Sequence, residues 1–232
     1  MSLLARLSRL FSPRRDAAAV PTPVTVQPEA PPHVPAAPPI PPDRVVQPWW
    51  SGGVPDEALA LSKVLEGLKL EPYDDNGEKS GGTWTIGYGS TRDAAGRPVT
   101  ANTPPITLPE AEALKRRDLA KAEALARAAF PGGLPARWGA VVILCCNNMG
   151  DIRMWGPTLH SLLLTRQWNA AAAQLRHYRN QRDGAGVLRP ELGLRRRRWC
   201  EAAYACGMDA QQAYQTAWTQ IRTVDDWPPL PG

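Results

Sequence analysis

Residues 65–89 read LEGLKLEPYDDNGEKSGGTWTIGYG. They set an acid, Glu66, at the end of a helical segment, then an aromatic and two acids, Tyr73, Asp74 and Asp75, and then a strand-like run, TWTIGYG. Upstream, PDEALALSKVLEG places Leu59, Leu61, Val64, Leu65 and Leu68 at spacings that mostly suit one helical face. Pro55 falls in the first turn of that helix and Gly67 where a helix stops. Downstream, residues 73–100 alternate turn signals such as Asn76-Gly77 and Gly96 with the β-favouring Tyr73, Trp84 to Tyr88 and Val99. That alternation predicts a small antiparallel hairpin or a three-stranded sheet. With long helical segments following, the chain is α+β and mostly helical, one small sheet carrying part of the site.

The same stretch carries chemistry. A helix C-terminus bears partial negative charge, which favours the protonated form of a carboxyl such as Glu66. A carboxyl held protonated near neutral pH is what a general acid needs to protonate a departing oxygen. Asp75 follows Pro72 in a turn-rich stretch open to water and is expected to stay ionised. Two carboxyls around one bond are the usual equipment for cleaving a glycosidic linkage: one protonates the leaving group while the other activates water or stabilises the oxocarbenium-like centre. Thr85 offers a hydroxyl to position such a water. The plainer reading makes Glu66 a solvated charge on an amphipathic helix and Asp74-Asp75-Asn76-Gly77 a turn.

Order and spacing favour the chemical reading. Glu66-Gly-Leu-x-Leu-x-x-Tyr73-x-Asp75, followed by Thr85-Ile-Gly-Tyr-Gly89, resembles the active-site signature of the phage-type lysozymes of glycoside hydrolase family 24. TLPEAEALKRRDLAKAE is similar to that family's helix opening after the hairpin, CNNMG to its Phe-Asn-x-Gly helix end, and TLHSLLLTRQWNAA to its Thr-Leu-rich segment. HYRN followed by GLRRRRWCEAAY resembles its Gly-Leu-x-x-Arg-Arg-x-x-Glu helix, so that the likeness runs from about residue 52 to 207. The resemblance implies a lysozyme-like fold and a muramidase. Such an enzyme hydrolyses the β-1,4 bond between N-acetylmuramic acid and N-acetylglucosamine in bacterial peptidoglycan, with inversion the outcome associated with the family. By the same resemblance Glu66 is the general acid, while Asp75 and Thr85 orient the water or stabilise the transition state. Tyr73, Arg197 and Arg198 are supporting residues, and either arginine is a candidate partner for Glu66. Two departures stand out: the stretch between Asp75 and Thr85 is longer and glycine-rich, and Ser90 replaces a histidine that supports structure in the family.

Elsewhere the pattern is helical. Thr107 and Glu110 form a capping-box pattern opening a helix through about Phe130, with Ala111, Leu114, Ala122 and Leu125 on one face. ARWGAVVILCCNN (136–148) is apolar nearly all round, which predicts a buried central helix closed by Gly150. Pro157 opens a helix to about Arg166, Asn169 caps the next, and the turn QRDGAG leads to a last core helix from about Pro190 to Cys206. DAQQAYQTAWTQIRTV is a further helix beyond the likeness. Arg195 to Arg198 spread round a helix circumference, which favours solvated or ion-paired roles over one nucleic-acid-binding face, with Glu201 a natural local partner. His160 and His177 read as surface or core-edge residues, without a third group to form a triad.

Composition bounds the rest. Of 232 residues, 25 are proline, and these cluster before Trp49. The organisation expected is therefore a short basic amphipathic segment (1–15), a proline-rich extended linker (16–50), a lysozyme-like catalytic domain (51–207), and a C-terminal helix with a proline-rich tail (208–232). Leu3, Leu4, Leu7, Leu10 and Phe11 could dock residues 1–15 on a membrane surface or a phage structural protein. The segment is too short to span a bilayer and makes a poor signal peptide. Trp49 and Trp50 mark the entry to the folded part and are expected on its surface. A net charge of +5 suits an anionic polymer such as peptidoglycan; no nucleic-acid partner is expected. Cys145, Cys146, Cys200 and Cys206 lack zinc-site spacing and read as small core residues, a bridge from Cys145 or Cys146 to Cys200 staying open. No cofactor or metal is implied. An inactive wall-binding or virion module on the same fold is the alternative function, and retention of Glu66, Asp75 and Thr85 argues against it. Delivery is either as an endolysin, passing from host cytoplasm to periplasm and wall, or as part of a virion.

Overall fold

Gly67, in a left-handed conformation at φ 68° that favours glycine, turns the chain from helix into strand. The computed structural model describes residues 49–75, 83–182 and 184–231, and of Trp49 only the backbone. The N-terminal segment and nearly all of the proline-rich linker lie outside the described residues. In chain order the elements are β1 (Trp49–Trp50), α1 (Asp56–Glu66), β2 (Lys69–Asp74), β3 (Trp84–Gly87), α2 (Leu108–Ala129), β4 (Leu134–Pro135) and α3 (Ala136–Met149). There follow α4 (Ile152–Trp155), α5 (Pro157–Leu164), α6 (Trp168–Gln174), a 3-10 turn (Leu175–His177), β5 (Asn180–Arg182), β6 (Leu188–Pro190), α7 (Leu192–Ala205) and α8 (Ala210–Gln220).

The core forms around α3. Its residues from Trp138 to Cys146 are all buried, as a helix apolar on every side must be, and α1, α2 and α7 pack against it. The capping box opens α2: Glu110 N–H donates to the Thr107 hydroxyl while the Glu110 carboxylate accepts from Thr107 N–H. Ala111, Leu114 and Ala122 are buried on the expected face, and Leu125 is half-buried.

β2 and β3 pair antiparallel, Tyr73 opposite Thr85 and Asp74 opposite Trp84, with an irregularity between Lys69 and Tyr73. The sheet is thus a two-stranded hairpin, extended by isolated bridges from Ile86 to Ser90 and from Arg92 to Pro98. It stands on its own small cluster, in which Ile86, Val99 and Leu114 are buried, and its outer strand is tied by Ile106 N–H donating to Leu70 C=O at 2.9 Å.

Several local expectations are corrected. Leu68 lies beyond the end of α1 and is 41% exposed, because Gly67 has already broken the helical period. Pro55 precedes α1 as its cap rather than sitting in the first turn. Asn169 is inside α6, whose cap position is Gln167. The segment around QRDGAG is a short exposed hairpin, β5 with β6, which too few alternating residues announced. Trp50 is 5% exposed rather than superficial. β1 pairs with β4 and lays the indole on Gly139 of α3, where a Cβ would come within 2.8 Å of the Trp50 side chain. The C-terminal region is also drawn in: Asp209 caps α8, α8 packs on α7 and α1, and the Trp199 indole donates to Pro228 C=O at 2.9 Å. No helix among the described residues is long and apolar enough to cross a membrane.

Candidate active site

Glu66 is the last residue of α1, half-buried where the helix gives way to the hairpin. Its environment is set as much by distant helices as by its own. Arg197, on α7, places Nη1 2.9 Å from Glu66 Oε1. The same guanidinium turns Nε to Glu201 Oε1 at 3.2 Å. Burial works against the charge on Arg197, but Glu201 and Glu66 outweigh it and hold its proton more firmly than usual. Between the two supporting arginines, it is therefore Arg197 that reaches the acid.

Arg198 supports from behind. It is fully buried, with Nε 3.0 Å from Glu201 Oε2 and Nη2 3.1 Å from Glu201 Oε1. It also reaches α3, through Nη1 to Cys145 Sγ at 3.2 Å and Nη2 to Asn148 Oδ1 at 3.3 Å. Arg195 and Arg196 correct the solvated or ion-paired expectation. Arg195 donates to the carbonyls of Val224 and Arg176 and lies over the Trp227 ring, while Arg196 Nε donates to Ile221 C=O at 3.0 Å. The four guanidiniums do diverge, as a helical run must, but two of them fasten the C-terminal tail.

Asp75 follows β2 directly and is exposed; its N–H donates to Thr83 C=O at 3.1 Å. Thr85 is 4% exposed, and its hydroxyl donates across the hairpin to Tyr73 C=O at 3.5 Å. Tyr73 is half-buried with the Lys69 ammonium 4.1 Å from its ring centroid. The hairpin thus brings Tyr73, Asp75 and Thr85 together at the end remote from Glu66 in sequence, and α1 delivers the acid to its start. Ser90 is buried and its hydroxyl has no hydrogen-bond partner among the described residues.

Sequence reasoning missed Lys115. It is 6% exposed on α2, close enough to Glu66 and Arg197 to feel both charges. Burial pulls its ammonium below the usual lysine range, Arg197 adds to the effect, and Glu66 and Asp118 oppose it. A signal was available: Lys115 falls in the buried register Ala111–Lys115–Leu119–Ala122. One turn back, Lys63 of α1 is paired with Glu112 of α2, which ties the two helices beside the acid. Glu123, 5% exposed, was also missed; it accepts from Gly53 N–H at 2.7 Å and fixes the entry of the chain.

A cleft of about 510 Å³ is lined among others by Asn148, Met149, Trp155, His177, Tyr178 and Leu194. His177 is exposed there, and Trp155 meets Tyr178 edge-on at 4.9 Å. His160 Nε2–H donates to Ala129 C=O, 3.0 Å away. All four cysteines are free thiols. Burial pushes Cys146 up to about 11 and Cys200 up to about 12, and raises Cys145 well above its usual value, which suits packing rather than reactivity.

Glu66 at the joint of α1 and the hairpin, with Asp75 and Thr85 on the hairpin, lies within a mostly helical, lysozyme-like α+β fold. The phage lysozyme family model matches residues 63–201, and the chain belongs to that family. It is a muramidase whose substrate is bacterial peptidoglycan. Among solved structures it is similar to an endolysin from Escherichia coli O157:H7 phage FAHEc1, at 25% identity and a TM-score of 0.59, over 68% of this chain and 95% of that one. The P22 lysozyme, in a point variant, shares 23% identity and a TM-score of 0.53 over 66% of this chain and 97% of its own. The muramidase domain of SpmX from Asticaccaulis excentricus shares the fold at 21% identity and a TM-score of 0.52, over 66% and 97%. No curated protein matches the chain.

Proposed function

We propose that Glu66 is the general acid of this muramidase, Asp75 its general base and Thr85 the hydroxyl that orients the attacking water. Glu66 gives its proton to the glycosidic oxygen as the bond from that oxygen to the muramic anomeric carbon breaks. Water adds to the same carbon, and Asp75 takes the proton the water loses, so one water is consumed and inversion is the expected outcome. Tyr73 and Arg197 support the two ends of the site. The observation that carries this assignment is the placing of Glu66 at the joint between α1 and the hairpin, held at 2.9 Å by a guanidinium from α7.

The test is clearing of permeabilised Gram-negative cells, or of purified peptidoglycan, by the wild type and by Glu66→Gln, with folding checked by circular dichroism. The folded variant is expected to lose about 10²–10⁴-fold in rate, the usual contribution of general acid catalysis. Mass spectrometry of the wild-type products should show reducing muramic ends. A folded Glu66→Gln variant that clears walls at the wild-type rate would falsify the assignment.

For delivery we infer an endolysin that accumulates in the host cytoplasm and reaches the wall after membrane permeabilisation, with virion attachment through residues 1–15 the alternative. Removing residues 1–15 distinguishes them: unchanged lysis from within supports the endolysin, and loss of binding to phage structural proteins supports the virion role.

A further inference from the structure

Glu201 is fully buried on α7, between two guanidiniums and 3.6 Å from the Cys145 sulfur. A buried carboxylate of this kind is weak as a device for stability, because the cost of desolvating the charges offsets most of their attraction and well-packed apolar residues do as well. Its geometric effect is specific. Arg197 is gripped at two different nitrogens, Nε by Glu201 and Nη1 by Glu66, which fixes the plane of the guanidinium as well as its position. Glu201 is fixed in turn by Arg198, and Arg198 by Cys145 and Asn148 of the central helix. Order therefore runs outward from the core to a side chain that is itself 26% exposed.

We infer that Glu201 is a positioning residue for the acid, acting through Arg197, an inference that rests on Glu66 being the general acid. Misplacing that acid weakens an interaction made in the transition state, so kcat falls while KM holds.

The experiment measures kcat and KM on purified peptidoglycan fragments of defined length. Glu201→Gln alone leaves Arg198 buried without its charge partner and is prone to unfold, so the main variant is charge-balanced: Arg198→Met with Glu201→Gln. Folded, it is expected to lose about ten- to a hundredfold in kcat with KM within about twofold of wild type. Arg197→Met should cost a similar factor, and adding it to the charge-balanced pair should cost less than about twofold more, because both changes remove one clamp. Wild-type kcat in the folded pair, or losses that multiply, would overturn the inference. If the pair does not fold, Glu201→Asp decides: it keeps the charge but withdraws the carboxylate by one methylene, and must lower kcat at constant KM. An Asp variant with full kcat overturns the inference as well. Glu66→Gln runs alongside; if that variant stays active, the general-acid assignment has failed, whatever Glu201 does.

Discussion

The hairpin that carries Asp75 and Thr85 and the helix that holds Glu66 in place are supported very differently. The hairpin rests on a satellite cluster in which three residues, Ile86, Val99 and Leu114, are buried. α7 is embedded in the main core through Trp199, Cys200, Ala202 and Ala203, and its arginines reach α3 and the C-terminal tail. Local opening free energy follows buried apolar contact. Glu66 is thus held by a helix embedded in the main core, whereas Asp75 and Thr85, the proposed base and water-orienting hydroxyl, sit on a thinly supported hairpin. A general acid gains from fixed geometry, whereas groups that handle a water have less need of a deep core.

The sharpest way to break this contrast is at Arg198. Arg198→Met leaves Glu201 fully buried with Arg197 as its one remaining guanidinium, and about 3–5 kcal/mol of stability should be lost, read from denaturant unfolding. A loss below about 1 kcal/mol would mean that α7 is not anchored by its charges. Next comes Gly139, where β1 leans on α3. Gly139→Ala puts a methyl 2.8 Å from the Trp50 side chain, and overpacking of that kind should cost about 1–3 kcal/mol with Trp50 fluorescence altered. Hydrogen exchange reads the contrast directly: the Ile86 amide, bonded to Ser90 C=O at 2.9 Å, should exchange before the amide of Cys200 in α7. Equal protection would show the hairpin and helix opening as one unit.

The smallest effect has the opposite sign. Burial lowers the affinity of Lys115 for its proton in the folded state, so between its folded value and the usual lysine value the unfolded chain binds more protons. Stability therefore rises as pH climbs through that window, and the penalty is present in full at neutral pH. Lys115→Met should raise the melting temperature at pH 7, with the gain shrinking under alkaline conditions. A lower melting temperature would show attraction to Glu66 and Asp118 outweighing burial.

Much of this architecture was legible in the chain. Local chemistry placed the end of α1 at Gly67, the capping box at Thr107 and the closure of α3 at Gly150, because each depends on residues within one turn. Glu66, Asp75 and Thr85 could be singled out as candidates because twenty residues of continuous chain contain all three. Asn169 misled because a good capping residue does not cap when the helix has already begun at Trp168.

By itself the sequence determined the helices, the hairpin and the family signature, since periodicity, breakers and motif order are properties of the chain alone. Only the tertiary structure decided which arginine meets Glu66, why Lys115 and Glu201 are buried, and that Trp50 and the C-terminal tail belong to the core. Those outcomes depend on groups far apart in sequence sharing one low-dielectric interior, where the partner brought by another helix sets the energy of a charge.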